Sequence, residues 1–188
     1  MRESLLFLAQ FVRSWRVTGS ITPSSRALAR ATVDAAGAVA AGQVVVEFGP
    51  GTGVITRELM RRFPGARIVA VEANEAFASR LPTAVPGVTV VNGCASRLGE
   101  HLAALGIAKA DVAAVVSGLP LLSLPDDLPK KILAATAEVL SPGRRYAQYT
   151  YSGRAWRGAE VLGFRRDGVR RVWWNVPPAV VLAFTREG

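Results

Sequence analysis

Two carboxylates close short apolar runs in this chain: Glu47 follows Val44-Val45-Val46, and Glu72 follows Ile68-Val69-Ala70-Val71. Between them Gly49, Gly51 and Gly53 recur at every second position, with Thr52 inside the run. Glycine lacks a Cβ and tolerates positive φ, so the backbone of such a turn can approach a ligand closely. The dinucleotide frame G-x-G-x-x-G is not met, because its last glycine falls on Val54. An acid 19 residues after Gly53 can accept two hydrogen bonds from adjacent ribose hydroxyls. Three more groups suit chemistry: Gly93-Cys94-Ala95, the stretch Ser117-Gly118-Leu119-Pro120-Leu121-Leu122, and the pair Tyr149 and Tyr151. Tyrosine faces can hold a cation. Arg26 falls in the first turn of an expected helix, where the helix dipole disfavours a cation, which suits it to an anion.

The elements that would carry these residues alternate as in a doubly wound α/β fold. Val44 to Glu47 reads as a strand, and Thr52 begins a helix that runs to Arg62. Strands are expected at 67–71, Val88–Val91, Asp111–Val116 and Tyr146–Tyr151, and helices at Asn74–Leu81, Leu98–Leu105 and Asp126–Leu140. Residues 169–174 and 179–185 form a closing antiparallel pair, joined through Asn175-Val176-Pro177-Pro178. Ligands of such sheets bind beyond the carboxyl ends of the strands, where the candidate residues fall. Residues 1–17 read as an amphipathic helix with Leu5, Leu8, Val12 and Trp15 on one face and Arg2, Arg13 and Arg16 beside it. A second helix spans about Ser25 to Ala36, N-capped by Ser24 or Thr22. The whole is expected to be one domain, 1–188, with helices over 1–36 and an α/β core over 43–188.

The formal charge is +9, from 23 Lys and Arg against 14 Asp and Glu, and only Lys109, Lys130 and Lys131 are lysines. Such a balance favours a polyanionic partner, either nucleic acid or an anionic lipid surface. The single Cys94 and single His101 leave neither a disulfide framework nor a zinc cluster, so no metal is expected. Cys94 reads as a structural thiol and His101 as part of a surface helix. No stretch resembles a signal peptide or an apolar span of about 18 residues, so a cytoplasmic protein is expected.

The frame E-x-G-x-G-x-G at 47–53 resembles motif I of the class I S-adenosylmethionine (SAM) methyltransferases. The segments GSITPSSRALAR (19–30), VVVEFGPGTGVIT (44–56), SGLPLLSLP (117–125), YAQYTY (146–151) and WWNVPPAVV (173–181) together resemble the bacterial phospholipid N-methyltransferases of the PmtA type. This family is distantly similar to the rRNA adenine dimethylases. The resemblance implies a Rossmann-like class I fold with seven strands, mostly parallel, one C-terminal strand being antiparallel. It implies SAM as cofactor, held by Glu47, Gly49, Gly51, Thr52, Gly53, Glu72, Ala73, Cys94, Ala95 and Ser117. Glu47 would lie near the cofactor's ammonium, and Cys94 replaces an acid that commonly accepts the adenine amino group. The implied reaction is stepwise methylation of phosphatidylethanolamine toward phosphatidylcholine, peripheral on the inner membrane face, with no obligate protein partner.

Ser117, Gly118, Tyr149 and Tyr151 are the expected catalytic groups, since something must take a proton from the amine. Ser20, Ser24, Arg26, Leu119, Pro120, Leu121 and Asn175 are the expected substrate contacts, with Arg26 on the phosphodiester. The alternative is adenine N-methylation on rRNA. A base-modifying enzyme needs an aromatic ring after the proline to stack its base, and Leu121 stands there instead. Nucleic acid is therefore the disfavoured partner, and the first helix becomes the expected membrane dock.

Overall fold

A computed structural model describes residues 25–125, 127–151 and 162–188. The expected helix over 1–17, and Ser20 and Ser24 with it, lie outside the described residues.

Seven strands form one sheet: β1 (Val44–Phe48), β2 (Arg67–Glu72), β3 (Thr89–Asn92), β4 (Val112–Ser117), β5 (Arg145–Thr150), β6 (Phe164–Val172) and β7 (Ala179–Arg186). Their order is β3-β2-β1-β4-β5-β7-β6. Neighbours from β3 through β5 pair in parallel, and β7 runs antiparallel to both β5 and β6. β1 (VVVEF) and β4 (VAAVVS) are buried at every residue, as β-branched runs covered on both faces should be. The sheet is the seven-stranded, mostly parallel one expected, with its C-terminal antiparallel strand.

Helices cover both faces: α1 (Arg26–Ala35), α2 (Val54–Arg62), α3 (Glu75–Ala84), α4 (Leu98–Ala104) and α5 (Leu128–Val139). α1 buries Leu28, Ala29, Ala31, Thr32 and Val33 along one stripe. Its N-cap is Ser25, whose Oγ accepts the Leu28 N–H at 3.1 Å, rather than Ser24 or Thr22. α2 begins at Val54 after a left-handed Gly53, two residues later than expected. α3 is capped by Asn74 and runs past Pro82, because the Val85 N–H still bonds the Leu81 carbonyl at 2.8 Å.

The largest departure is β6. It starts five residues before the expected 169 and ends at Val172, leaving Trp173 and Trp174 in the turn. Its arginine-rich run 165–171 carries no apolar alternation, since β6 is an edge strand whose exposed positions are charged apart from Val169.

Candidate functional site

β1 carries Glu47 into the core as the fourth residue of a fully buried strand. The side chain is 1% exposed, and Oε2 has no hydrogen-bond partner among the described residues. Burial pushes its pKa from 4.5 up to about 8; the hydroxyl and N–H of Thr56 oppose the rise, and the nearby Glu72 adds to it. The Thr56 hydroxyl is close enough to influence the carboxyl yet does not reach hydrogen-bond geometry, so it too is buried without a partner. A buried acceptor with an unused oxygen is costly unless a donor arrives.

The glycine turn lies above it, with φ of 66°, 53° and 78° at Gly49, Gly51 and Gly53. A Cβ at Gly49 would lie 2.8 Å from Leu119 Cδ2, and one at Gly53 would lie 2.8 Å from both Leu81 Cδ1 and Val85 Cγ2. At Gly51 it would meet none of the described residues within 4 Å. The turn is therefore wedged between α3 and the Leu119 loop, and its middle faces open space. Thr52, also in the turn, is exposed.

Glu72 ends β2 and is 7% exposed. Its Oε2 accepts the Gly51 N–H at 3.2 Å and Oε1 the Asn74 N–H at 2.9 Å. Burial raises its pKa, while main-chain N–H groups of Asn74, Gly51 and Ala73 restrain the rise. One carboxylate thus ties the turn to the end of the second strand. Beyond it, Ala73, Cys94, Ala95, Leu119 and Ile132 line a narrow slot of about 20 Å³. His101 Nε2 lies 3.0 Å from the Cys94 carbonyl. A carbonyl accepts only, so Nε2 is the protonated nitrogen and the ring braces this loop. His101 is half-buried and was not legible as a site residue.

The third part is the loop after β4. Phe48, Ser117 and Gln148 form one row across β1, β4 and β5. The Gly118 N–H donates to the Phe48 carbonyl at 2.8 Å, and the buried Ser117 Oγ accepts the Leu119 N–H at 3.3 Å. Gln148 Nε2 donates to the carbonyls of Leu119 at 2.9 Å and Tyr149 at 2.6 Å, while its Oε1 accepts the Tyr146 hydroxyl at 2.8 Å. Burial pushes the Tyr146 phenol well above its usual range, so it remains a neutral donor. Gln148 was missed by sequence reasoning, although a lone amide in a strand buried at Tyr146, Ala147 and Gln148 is itself a signal.

Gly118, Leu119, Pro120, Leu121, Leu122, Tyr149 and Tyr151 line a cavity of about 120 Å³ on the other side of this loop. The two tyrosine rings meet edge to face, 5.7 Å apart at 79°. Leu28 and Ala31 of α1, with Val172 and Val181, back them. Two expected substrate contacts, Asn175 and Arg26, lie outside this lining. Asn175 is 2% exposed. Its Oδ1 accepts the Ser25 N–H at 2.9 Å, and its Nδ2 donates to the Pro177 carbonyl at 2.7 Å. It therefore has its polar groups committed within the fold and does not line the cavity. Arg26 is exposed at the start of α1, also outside the lining. Among the described residues no three His, Cys, Asp or Glu side chains could share a metal.

The strand order, the acid-glycine turn after β1 and the ribose-type acid after β2 define a class I SAM-dependent methyltransferase. The residues fit that cofactor: the orphaned Glu47 Oε2 suits its ammonium, Glu72 its ribose, the open face of Gly51 its methionine half and the slot at Cys94 its adenine edge. No family model matches the chain. The chain is 35% identical over 154 residues to an ornithine lipid N-methyltransferase of Singulisphaera acidiphila, covering 80% of this chain and 79% of that protein. It is 33% identical to ribosomal RNA small subunit methyltransferase A of Leifsonia xyli subsp. xyli, over 79% of this chain and 58% of that protein. In fold it is similar to the 1,6-didemethyltoxoflavin-N1-methyltransferase of Burkholderia thailandensis, at a TM-score of 0.71 and 17% identity, covering 100% of this chain and 90% of that one. The chain belongs to the family of the ornithine lipid N-methyltransferase, and is a SAM-dependent methyltransferase.

Proposed function

We propose that this methyltransferase N-methylates the amine of a membrane lipid, namely phosphatidylethanolamine and its mono- and dimethyl derivatives, toward phosphatidylcholine. The observation that carries the reading is the cavity of about 120 Å³ lined by Leu119, Leu121, Leu122, Tyr149 and Tyr151 next to the Ser117–Pro120 loop. Its walls suit an aliphatic glycerolipid and two ring faces that attract an alkylammonium. Position 121, where a stacking ring would serve a flipped base, is a leucine only 5% exposed.

SAM supplies a methyl group already activated on a sulfonium. The chain's residues then have to orient the acceptor and exclude water. Gln148 fixes the Leu119 carbonyl, so the loop presents a constant wall to the incoming amine. An ammonium has no lone pair, so the nitrogen must lose a proton first, and Tyr149 and Tyr151 are the groups at hand to relay it. Arg26, exposed at the start of α1 outside the cavity lining, is proposed to meet the lipid phosphate at the surface.

A second reading has a specific observation behind it. The 35% identity to an ornithine lipid N-methyltransferase favours the amine of an aminoacyl lipid in the same cavity. Methyl transfer from labelled SAM to vesicles holding phosphatidylethanolamine or ornithine lipid, with products separated by chromatography, tests both. Mono-, di- and trimethylated phosphatidylethanolamine is the expected result. Label on ornithine lipid alone would transfer the proposal to that substrate. Label on neither lipid, but on 16S rRNA, would overturn both.

A further inference from the structure

We infer that the turn between β6 and β7 is a contact of the chain with an anionic phospholipid bilayer, in addition to the dock expected of residues 1–17, at the same edge of the sheet as the substrate cavity. This inference rests on the lipid-methylating reading and deepens it. In that turn Trp173 is 67%, Trp174 88% and Val176 75% exposed. Exposed indoles next to one another are unusual on a water-facing surface. Tryptophan, with an apolar body and one N–H, is at home where hydrocarbon meets headgroups.

Topology sets where this turn lies. β5 is parallel to β1 and β4, so its Thr150 end shares the site's edge of the sheet. β7 is antiparallel to β5 with Val180 opposite Thr150, and β6 is antiparallel to β7 with Val172 opposite Ala179. The end of β6 and the start of β7 are thus at the edge that holds Ser117–Leu122, Tyr149 and Tyr151. Leu122, 48% exposed, lines the cavity there.

Charge and anchoring agree with this occupant. Arg170 and Arg171 lead into the turn, Arg170 pairing with Asp34 of α1 at 3.2 Å; residues 173–178 contain no acid, and all of 170–178 except Val172 and Asn175 is exposed. The hydrogen bond from the Ser25 N–H to Asn175 holds the turn against the start of α1, where Arg26 follows Ser25. Exposed cations flanking exposed indoles match an anionic interface, where apolar insertion and headgroup attraction act together.

The test uses the full chain and vesicles of phosphatidylethanolamine with phosphatidylglycerol. The double variant W173S/W174S leaves the core intact, and unchanged SAM binding checks its folding. It is expected to lose vesicle affinity at least tenfold, with methyl transfer to vesicle lipid falling in parallel. Val176→Asp, a separate route, is expected to weaken binding to anionic vesicles more than to neutral ones. In Trp15→Phe, which removes the other indole expected at a membrane, brominated acyl chains should still quench tryptophan emission, and that quenching should largely vanish when Trp173 and Trp174 are also replaced by Ser. Vesicle affinity within twofold of the parent, or undiminished quenching, would overturn the inference. The two readings fail separately: loop-dependent vesicle binding without methyl transfer to any lipid sinks the function and keeps the docking surface, while methyl transfer with loop-independent binding does the reverse.

Discussion

Replacing Glu47 with glutamine removes a single buried titration and nearly preserves shape. In the parent its pKa of about 8 means that at pH 7 about 0.9 of the carboxyls carry a proton. A cationic group settling on Oε2 stabilises the ionised form, so that proton leaves. SAM binding at pH 7 should therefore release about 0.9 proton from Glu47, and the Glu47-linked part of the affinity should rise by about eightfold per pH unit near pH 7, the slope falling to about threefold per unit by pH 8. The cofactor's own α-amino group, with an ordinary pKa of about 7.7–8.0, takes up a fraction of a proton in both proteins and cancels in the comparison. Calorimetric titration in buffers of differing ionisation enthalpy reads the proton count directly. Glu47→Gln should show affinity that is weaker at pH 8 and lacks the Glu47-linked rise. Equal proton release by parent and variant would show that Glu47 does not exchange its proton for the cofactor, and would refute the reasoning.

The same shift has a stability consequence in the free protein. Because the folded carboxyl holds its proton more tightly than the unfolded one, its contribution is full below pH 4.5 and is lost as pH rises to about 8. That interval, at 1.36 kcal/mol per unit, amounts to about 5 kcal/mol, and chemical unfolding of parent and Glu47→Gln across it should show the stability difference moving in the variant's favour. Gly51→Ala adds a Cβ that meets none of the described residues, so stability should fall only by the modest strain of left-handed alanine, about 1 kcal/mol, seen as a small drop in Tm, while SAM affinity drops more than tenfold. Gly53→Ala forces its Cβ against Leu81 and Val85 and should lower Tm far more. Gln148→Leu leaves the Leu119 and Tyr149 carbonyls without their donor; a loss of about 1–3 kcal/mol and a fall in kcat larger than any change in SAM affinity are expected from thermal melts and kinetics.

The cofactor half of the site was legible because its signals are local. A β-branched run, an acid, alternating glycines and a second acid after the next apolar run each declare themselves within a few residues. The same locality located β1 and β4 well, since both strands are apolar from end to end. β6 was half hidden, because an edge strand of arginines lacks the periodicity that marks a strand. Gln148 and His101 act through partners 29 and 7 residues away, which no short-range pattern reports. Asn175 misled in the opposite sense: a polar residue in a distinctive turn reads as a ligand contact, yet its amide joins Ser25, 150 positions earlier in the chain.

The central claim, transfer of methyl groups to a membrane lipid amine, is tested most directly inside a cell. The chain would be expressed in a bacterium that makes phosphatidylethanolamine but neither phosphatidylcholine nor methylated ornithine lipid, and its lipids resolved by mass spectrometry. Phosphatidylethanolamine species heavier by successive methyl increments, present with the parent and absent with Gly51→Ala, are the expected result. An unchanged lipid profile, with the parent folded and binding SAM, would contradict it.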